Sequence, residues 1–208
     1  MLLLPKFRRS THAMKRLYNR IYRIYGIFEK SLDPKIESIV QKKIAVVSNM
    51  STCTALEYAC GSGLLSLKLA PLFKSVSSRD ISIKMLERAK IRAKDKGYSV
   101  HFSEGNLLDI DEQDKSFDYV FVSCALHLFP PDVEEEILKK LCTVAKKAVI
   151  IIDHGRKWSF SAAVVEWFEG SFYDQFIKID FKALAERIGC KTFEEEQIEN
   201  VTVLSFFV

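Results

Sequence analysis

Residues 56–63 read Leu56-Glu57-Tyr58-Ala59-Cys60-Gly61-Ser62-Gly63, a short apolar run that dissolves into small residues. Thr54–Tyr58 has the length and composition of a buried strand, and Leu64–Leu72 beyond it has helical spacing, with Pro71 near its end. Small residues at 59, 61, 62 and 63 let the chain turn tightly and let a ligand approach the backbone. The following helix start offers free N–H groups to that ligand. A plain strand-to-helix turn is the other reading of this stretch, since an isolated glycine motif is weak evidence and its meaning depends on what surrounds it.

Outward from it, strands and helices alternate. Ser75–Arg79 reads as a strand. Ser82 is placed to cap a helix whose Met85, Leu86, Ala89 and Ala93 form one apolar face, and Gly97 ends it. Val100–Ser103, Asp118–Ser123 and Ala148–Ile152 read as strands. Asp132 is expected to cap a further helix, with Glu134, Glu135 and Glu136 at its positive end. A helix over Phe181–Ile188, closed by Gly189, leads to an antiparallel pair, Thr192–Ile198 and Val201–Val208. This order predicts an α/β protein: a three-layer, Rossmann-like sandwich around a seven-stranded, mostly parallel sheet with an antiparallel C-terminal strand pair. Ligands of such sheets bind at the carboxyl ends of the strands, where the strand order reverses.

Before the first strand, Leu17, Ile21, Ile24 and Phe28 fall at helical spacing and predict an amphipathic helix over residues 14–30, followed by a second over Pro34–Ile44. Residues 1–45 thus read as an N-terminal basic helical arm or lid, and 46–208 as the α/β domain. The 208 residues suit one domain, and 48% apolar with 28% charged residues is a globular mix. The net charge is +4, but residues 1–24 hold seven cations and no acid, so the remainder sums to −3. Composition therefore does not make this a nucleic-acid binder. MLLLPKFRRS carries only three consecutive leucines, too few for a signal peptide, and no apolar run approaches a membrane span. Five widely spaced cysteines without a CxxC pair predict reduced thiols in a cytoplasmic protein, and the four histidines lack metal-ligand spacing, so no metal is expected.

Asp80 closes the second strand, 17 residues after Gly63, where an acid can accept hydrogen bonds from ribose hydroxyls. With the small-residue turn it points to a nucleoside-bearing cofactor. LEYACGSG, then RDISIKMLERAK (79–90), EGNLLDI (104–110) and SFDYVFVSCALHLF (116–129) resemble the successive motifs of class I S-adenosylmethionine-dependent methyltransferases, nearest to the ubiquinone/menaquinone and type 11 group. The likeness covers about residues 52–153. It implies methylation of a small molecule, with S-adenosyl-L-methionine as cofactor and S-adenosyl-L-homocysteine as product. It also implies roles. Glu57 would hold the methionine amino end; Ala59, Gly61 and Gly63 would lie along methionine and ribose. Asp80 would bind the ribose, with Ile81 and Met85 near the adenine. Asn106 would meet the adenine amino group, and Leu107 would offer its N–H to a ring nitrogen. Ser123 and Cys124 would line the methionine end. Ala59 stands where the family has glycine, which alanine satisfies while its φ stays negative.

The transferred methyl is carried by the cofactor, so the protein chiefly aligns the acceptor and removes a proton where needed. His127 is the candidate general base because its free pKa lies near neutrality. His154, Tyr25 and the aromatic stretch 158–176, with Trp158, Trp167 and Tyr173, are candidates for the acceptor pocket. Three other readings stand beside this one. An NAD(P)-dependent oxidoreductase would use the same turn, but Ser66 replaces its third glycine and Glu57 would face the pyrophosphate. A methyltransferase fold without catalysis would serve as a binding subunit. An RNA or DNA methyltransferase would use the basic arm, yet SCALHLFPP lacks the Asn/Asp-Pro-Pro-aromatic motif of base-amino methylation. The arm is also suited to peripheral contact with an anionic membrane, and the chain to a monomer or homodimer.

Overall fold

The computed structural model describes residues 11–45, 49–156, 171–198 and 200–208. Helix α1 spans Thr11–Ile39 and runs into a π-helical turn, Val40–Ile44. Then follow β1 (Thr54–Tyr58), α2 (Ser66–Leu69), β2 (Ser75–Asp80), α3 (Ile83–Lys96), β3 (His101–Glu104) and β4 (Phe117–Ser123). After them come α4 (Pro131–Val144), β5 (Ala145–His154), α5 (Tyr173–Phe176), α6 (Phe181–Arg187), β6 (Thr192–Ile198) and β7 (Val201–Phe207).

The seven strands lie in the order β3-β2-β1-β4-β5-β7-β6. β1 to β5 are parallel, and β7 pairs antiparallel with both β5 and β6. The expected fold class is the one observed. β1 has β2 on one side and β4 on the other, so the order reverses there, and the carboxyl edge at such a reversal is where ligands of these sheets bind. Central β4 is apolar and buried on both faces, as its sequence Phe117–Ser123 requires. Edge strand β6 carries Glu194, Glu195 and Glu196, charges that discourage pairing with another chain.

Two cores flank the sheet. One packs α4 and α6 over β1, β4, β5 and β7, around Leu56, Val120, Ile151 and Leu204. The other packs the end of α1 (Ile36, Ile39) and the π-helical turn after it (Val40, Ile44) against Ala55, Leu65, Phe121 and Ile152. The predicted break before Pro34 is absent, since α1 continues through it. A proline inside a helix costs about 3 kcal/mol. Four nearly fully buried side chains beyond it each return about 1.5–3 kcal/mol, so packing outweighs the local defect. Asp132 is not the cap of α4. Pro131 takes the first helical position and Pro130 precedes it, leaving Asp132 in the first turn. Glu134, one of the acids at the positive end of this helix, is fully buried.

Candidate functional site

The turn after β1 is built by alternating backbone conformations. Cys60 N–H bonds to Arg79 C=O (3.0 Å), which ties the turn to β2, and Gly63 N–H bonds back to Cys60 C=O (2.9 Å). Ala59, Gly61 and Gly63 have φ of +55°, +53° and +80°. The negative φ under which alanine would replace the family's glycine without strain is not met at Ala59: an L side chain occupies a left-handed position. At Gly63 a β-carbon would come 3.1 Å from that of Ala89, so glycine also lets α3 pack close. At Gly61 a β-carbon would meet nothing within 4 Å, so this backbone fronts open space. An alanine in the left-handed region costs roughly 1–2 kcal/mol, part of which a glycine loses again through unfolded-chain entropy. Ala59→Gly should therefore stabilise the protein by roughly 0.5–1 kcal/mol in thermal unfolding. A lower melting temperature would show that the strain lies elsewhere.

Two carboxylates sit beside this turn. Asp80 ends β2, accepting from Gly61 N–H (2.7 Å) through one oxygen and from Ser82 N–H (2.8 Å) through the other. Ser82 caps α3 by accepting from Met85 N–H (3.2 Å), as its sequence context predicts. Glu57, fully buried, accepts from the hydroxyls of Ser66 and of Ser123 (3.0 Å for the latter). Burial pushes Glu57 up to about 7 against the lowering by Ser66 and Ser123. Burial likewise pushes Asp80 up to about 6, offset in part by the two backbone donors. Among the described residues neither has a cationic partner. Glu57, Ala59, Gly61, Gly63, Asp80 and Ser123 thus lie together around the turn after β1. Ile81 adjoins Asp80. Cys124 follows Ser123 and is itself left-handed, φ +49°. Met85 and Leu107 are buried in the packing. Asn106 accepts from Leu108 N–H (3.1 Å) in a local turn, which leaves its carbonyl a second lone pair.

Residues outside the sequence motifs complete this side of the site. Glu29 of α1 is buried and accepts from the Ser62 hydroxyl, Arg88 (3.0 Å) and Arg92 (3.3 Å). Arg92 also donates to Ser62 (2.7 Å), and Asn19 accepts from the Ser82 hydroxyl (2.7 Å). α1 is thereby bonded to both βα turns. The i,i+4 spacing of Arg88 and Arg92 is the one local signal of this cluster; nothing near Glu29 announces it.

At the ends of β4 and β5 lies a second buried group. Asp153 accepts from His127 Nδ1 (2.5 Å), Leu126 N–H (3.0 Å), His127 N–H (3.3 Å) and His154 N–H (2.7 Å). Burial opposes its charge, but His127, by charge and by hydrogen bond, and then His154 hold its carboxyl below the ordinary value. An ionised Asp only accepts, so His127 carries its proton on Nδ1. The His154 ring, half-buried, stands edge-on to His127 (4.6 Å between centroids) and to Tyr173 (5.9 Å). Tyr173 is buried and donates to Gly155 C=O (3.1 Å). His127, Asp153 and His154 bring ligand-type atoms within 4.8 Å of one another. Four donors already saturate Asp153, so the trio is a hydrogen-bonded unit and not an open ligand set. His127, His154 and Tyr173 therefore come together; Trp158, Trp167 and the Tyr25 side chain lie outside the described residues.

An order reversal beside β1 and an antiparallel β7 between β5 and β6 give this chain the fold of solved S-adenosylmethionine-dependent methyltransferases. Residues 55–148 match the family model described as a methyltransferase domain. Magnesium protoporphyrin IX methyltransferase of Arabidopsis thaliana is 28% identical over 103 residues, half of this chain and 33% of the relative. The chain thus spans about a third of that relative's length. Among solved structures, a SAM-dependent methyltransferase from Aquifex aeolicus superposes with a TM-score of 0.67 at 15% identity, over 96% of this chain and 99% of that one. The Synechocystis magnesium protoporphyrin IX methyltransferase with bound SAH gives 0.63 at 18% identity, over 86% and 83%. At these identities the structures speak for the fold.

Proposed function

We propose that this protein transfers a methyl group from S-adenosylmethionine to a small-molecule acceptor. The observation that carries this reading is the pair of buried carboxylates, Glu57 and Asp80, without a cationic partner among the described residues, beside a glycine turn that fronts open space. Such a crevice suits a ligand bearing ammonium and sulfonium charges together with ribose hydroxyls, and it repels a pyrophosphate. The cofactor therefore fits, whereas a dinucleotide does not. In this reading Glu57 takes the amino end, Asp80 the ribose, and Asn106 and Leu107 the adenine. Ser123 and Cys124 line the methionine end. The cofactor supplies the electrophilic methyl; the protein aligns the acceptor against it.

The acceptor's side is assigned to the ends of β4 and β5, with His154 and Tyr173 and, from outside the described side chains, Tyr25, Trp158 and Trp167. His127, oriented by Asp153, is the group assigned to receive a proton. The magnesium protoporphyrin IX methyltransferase named above supports a small-molecule acceptor over nucleic acid. Residues 1–45 are assigned as a basic lid on the domain 46–208, with the arm as a peripheral membrane contact. Among the described residues no helix is long and apolar enough to cross a membrane. Free thiols at all five cysteines support a cytoplasmic protein.

Asp80→Ala should weaken S-adenosylhomocysteine binding by about 1–3 kcal/mol in calorimetric titration, through loss of the ribose acceptor. An unchanged affinity in a folded variant would show that the crevice is misplaced.

A further inference from the structure

Four large hydrophobic side chains are exposed among the described residues: Ile83 (47%), Ile91 (62%), Leu108 (49%) and Tyr98 (37%). Ile83 and Ile91 lie on α3, and Tyr98 follows directly on its Gly97 C-cap. Ile83, Lys90, Ile91 and Lys94 fall at i, i+7, i+8 and i+11, within one arc of the helix. That arc is separate from the stripe of buried Met85, Leu86, Ala89 and Ala93. Lys84 and Glu87 on the same side pair with each other (2.8 Å) and cancel. Lys90 and Lys94 make no ion pair or hydrogen bond with the described residues. Asp95 stands at the rim. The outcome is a helix face about 20 Å long with apolar side chains set singly among uncompensated lysines.

We propose that this outer face of α3 docks on an anionic lipid surface. The composition decides between occupants. The core of a protein–protein interface excludes lysine, because its ammonium must be stripped of water. At a bilayer surface the same lysine lays its methylenes on the apolar boundary and keeps its charge among anionic headgroups. Isoleucines inserted singly gain from acyl-chain contact, while single-stranded nucleic acid would call for stacking aromatics. Partitioning then combines apolar insertion with roughly one headgroup attraction per lysine. The face is distinct from the N-terminal arm, and the proposal rests on the functional reading only in taking the membrane as a partner; methyl transfer need not occur for it to hold.

The test is cosedimentation of the full chain with vesicles of phosphatidylcholine alone and of phosphatidylcholine mixed with phosphatidylglycerol. Binding is expected on the anionic vesicles, weakening as salt rises, with little on the neutral ones. Ile83→Ser with Ile91→Ser, and separately Lys90→Glu with Lys94→Glu, should each lower the partition coefficient about tenfold or more. Both pairs are exposed, so thermal unfolding and S-adenosylhomocysteine binding should match the parent, which separates loss of docking from loss of fold or of the cofactor site. Arg16→Glu with Arg20→Glu, on α1, is the comparison. If that pair abolishes binding and the α3 variants bind normally, the arm is the contact and the proposal fails. Absence of binding to anionic vesicles, or equal binding to neutral ones, overturns it as well.

Discussion

Replacing Asp153 by alanine should cost about 3–5 kcal/mol of folding stability, the largest loss expected from any change in the site region. Three backbone N–H groups, from Leu126, His127 and His154, and the His127 ring all donate to this one carboxylate. Alanine leaves them facing a dry cavity, and each unsatisfied buried donor costs about 1–3 kcal/mol. The loop carrying Leu126 and His127 would lose its anchor to β5, so His127 would lose its orientation together with its partner. Asp153→Asn, which keeps one carbonyl oxygen, should cost less. Urea unfolding at neutral pH measures both; a loss below about 1 kcal/mol for the alanine variant would mean that the carboxylate does not organise this corner.

Glu134→Gln should do the opposite. Glu134 is fully buried, and neither carboxyl oxygen has a hydrogen-bond partner among the described residues. Burial first, and then the charge of Asp153, raise its pKa from 4.5 to about 9, with His127 pulling the other way. Between these two values the native state holds a proton that the unfolded chain has released. Stability from this group is therefore complete below pH 4.5 and declines as pH rises toward about 9. Glutamine has no proton to retain. The variant should gain about 2–3 kcal/mol over the parent at neutral pH, and almost nothing in acid. Paired urea unfolding curves at about pH 5 and about pH 8 give the difference directly; a difference that does not change with pH would contradict the buried, protonated carboxyl.

What could be read ahead of the structure was whatever local chemistry dictates. Ser82 and Gly97 close α3 at both ends as their residue types require, and the apolar run of β4 places that strand in the middle of the sheet. The class of fold followed from the alternation of periods. Long-range packing governs what was not legible. Pro34 is carried inside α1 because four side chains beyond it are buried, and Pro131 starts α4 ahead of the acid that seemed to cap it. Glu134 looks like any acid at a helix start, and only the fold shows that its face of α4 turns toward Asp153 and His127. Ala59 hides its left-handed φ because alanine is ordinary in almost every other setting. Within the crevice, the motif residues are local and readable. The Glu29, Arg88 and Arg92 cluster joins segments about 60 residues apart and leaves no periodic trace.

The central claim is that the crevice beside β1 receives a cationic, ribose-bearing methyl donor. Its most direct test is calorimetric titration of the full chain with S-adenosylhomocysteine and, separately, with NAD. Saturable one-to-one binding of the first and none of the second is expected. Binding of NAD with none of S-adenosylhomocysteine would contradict it.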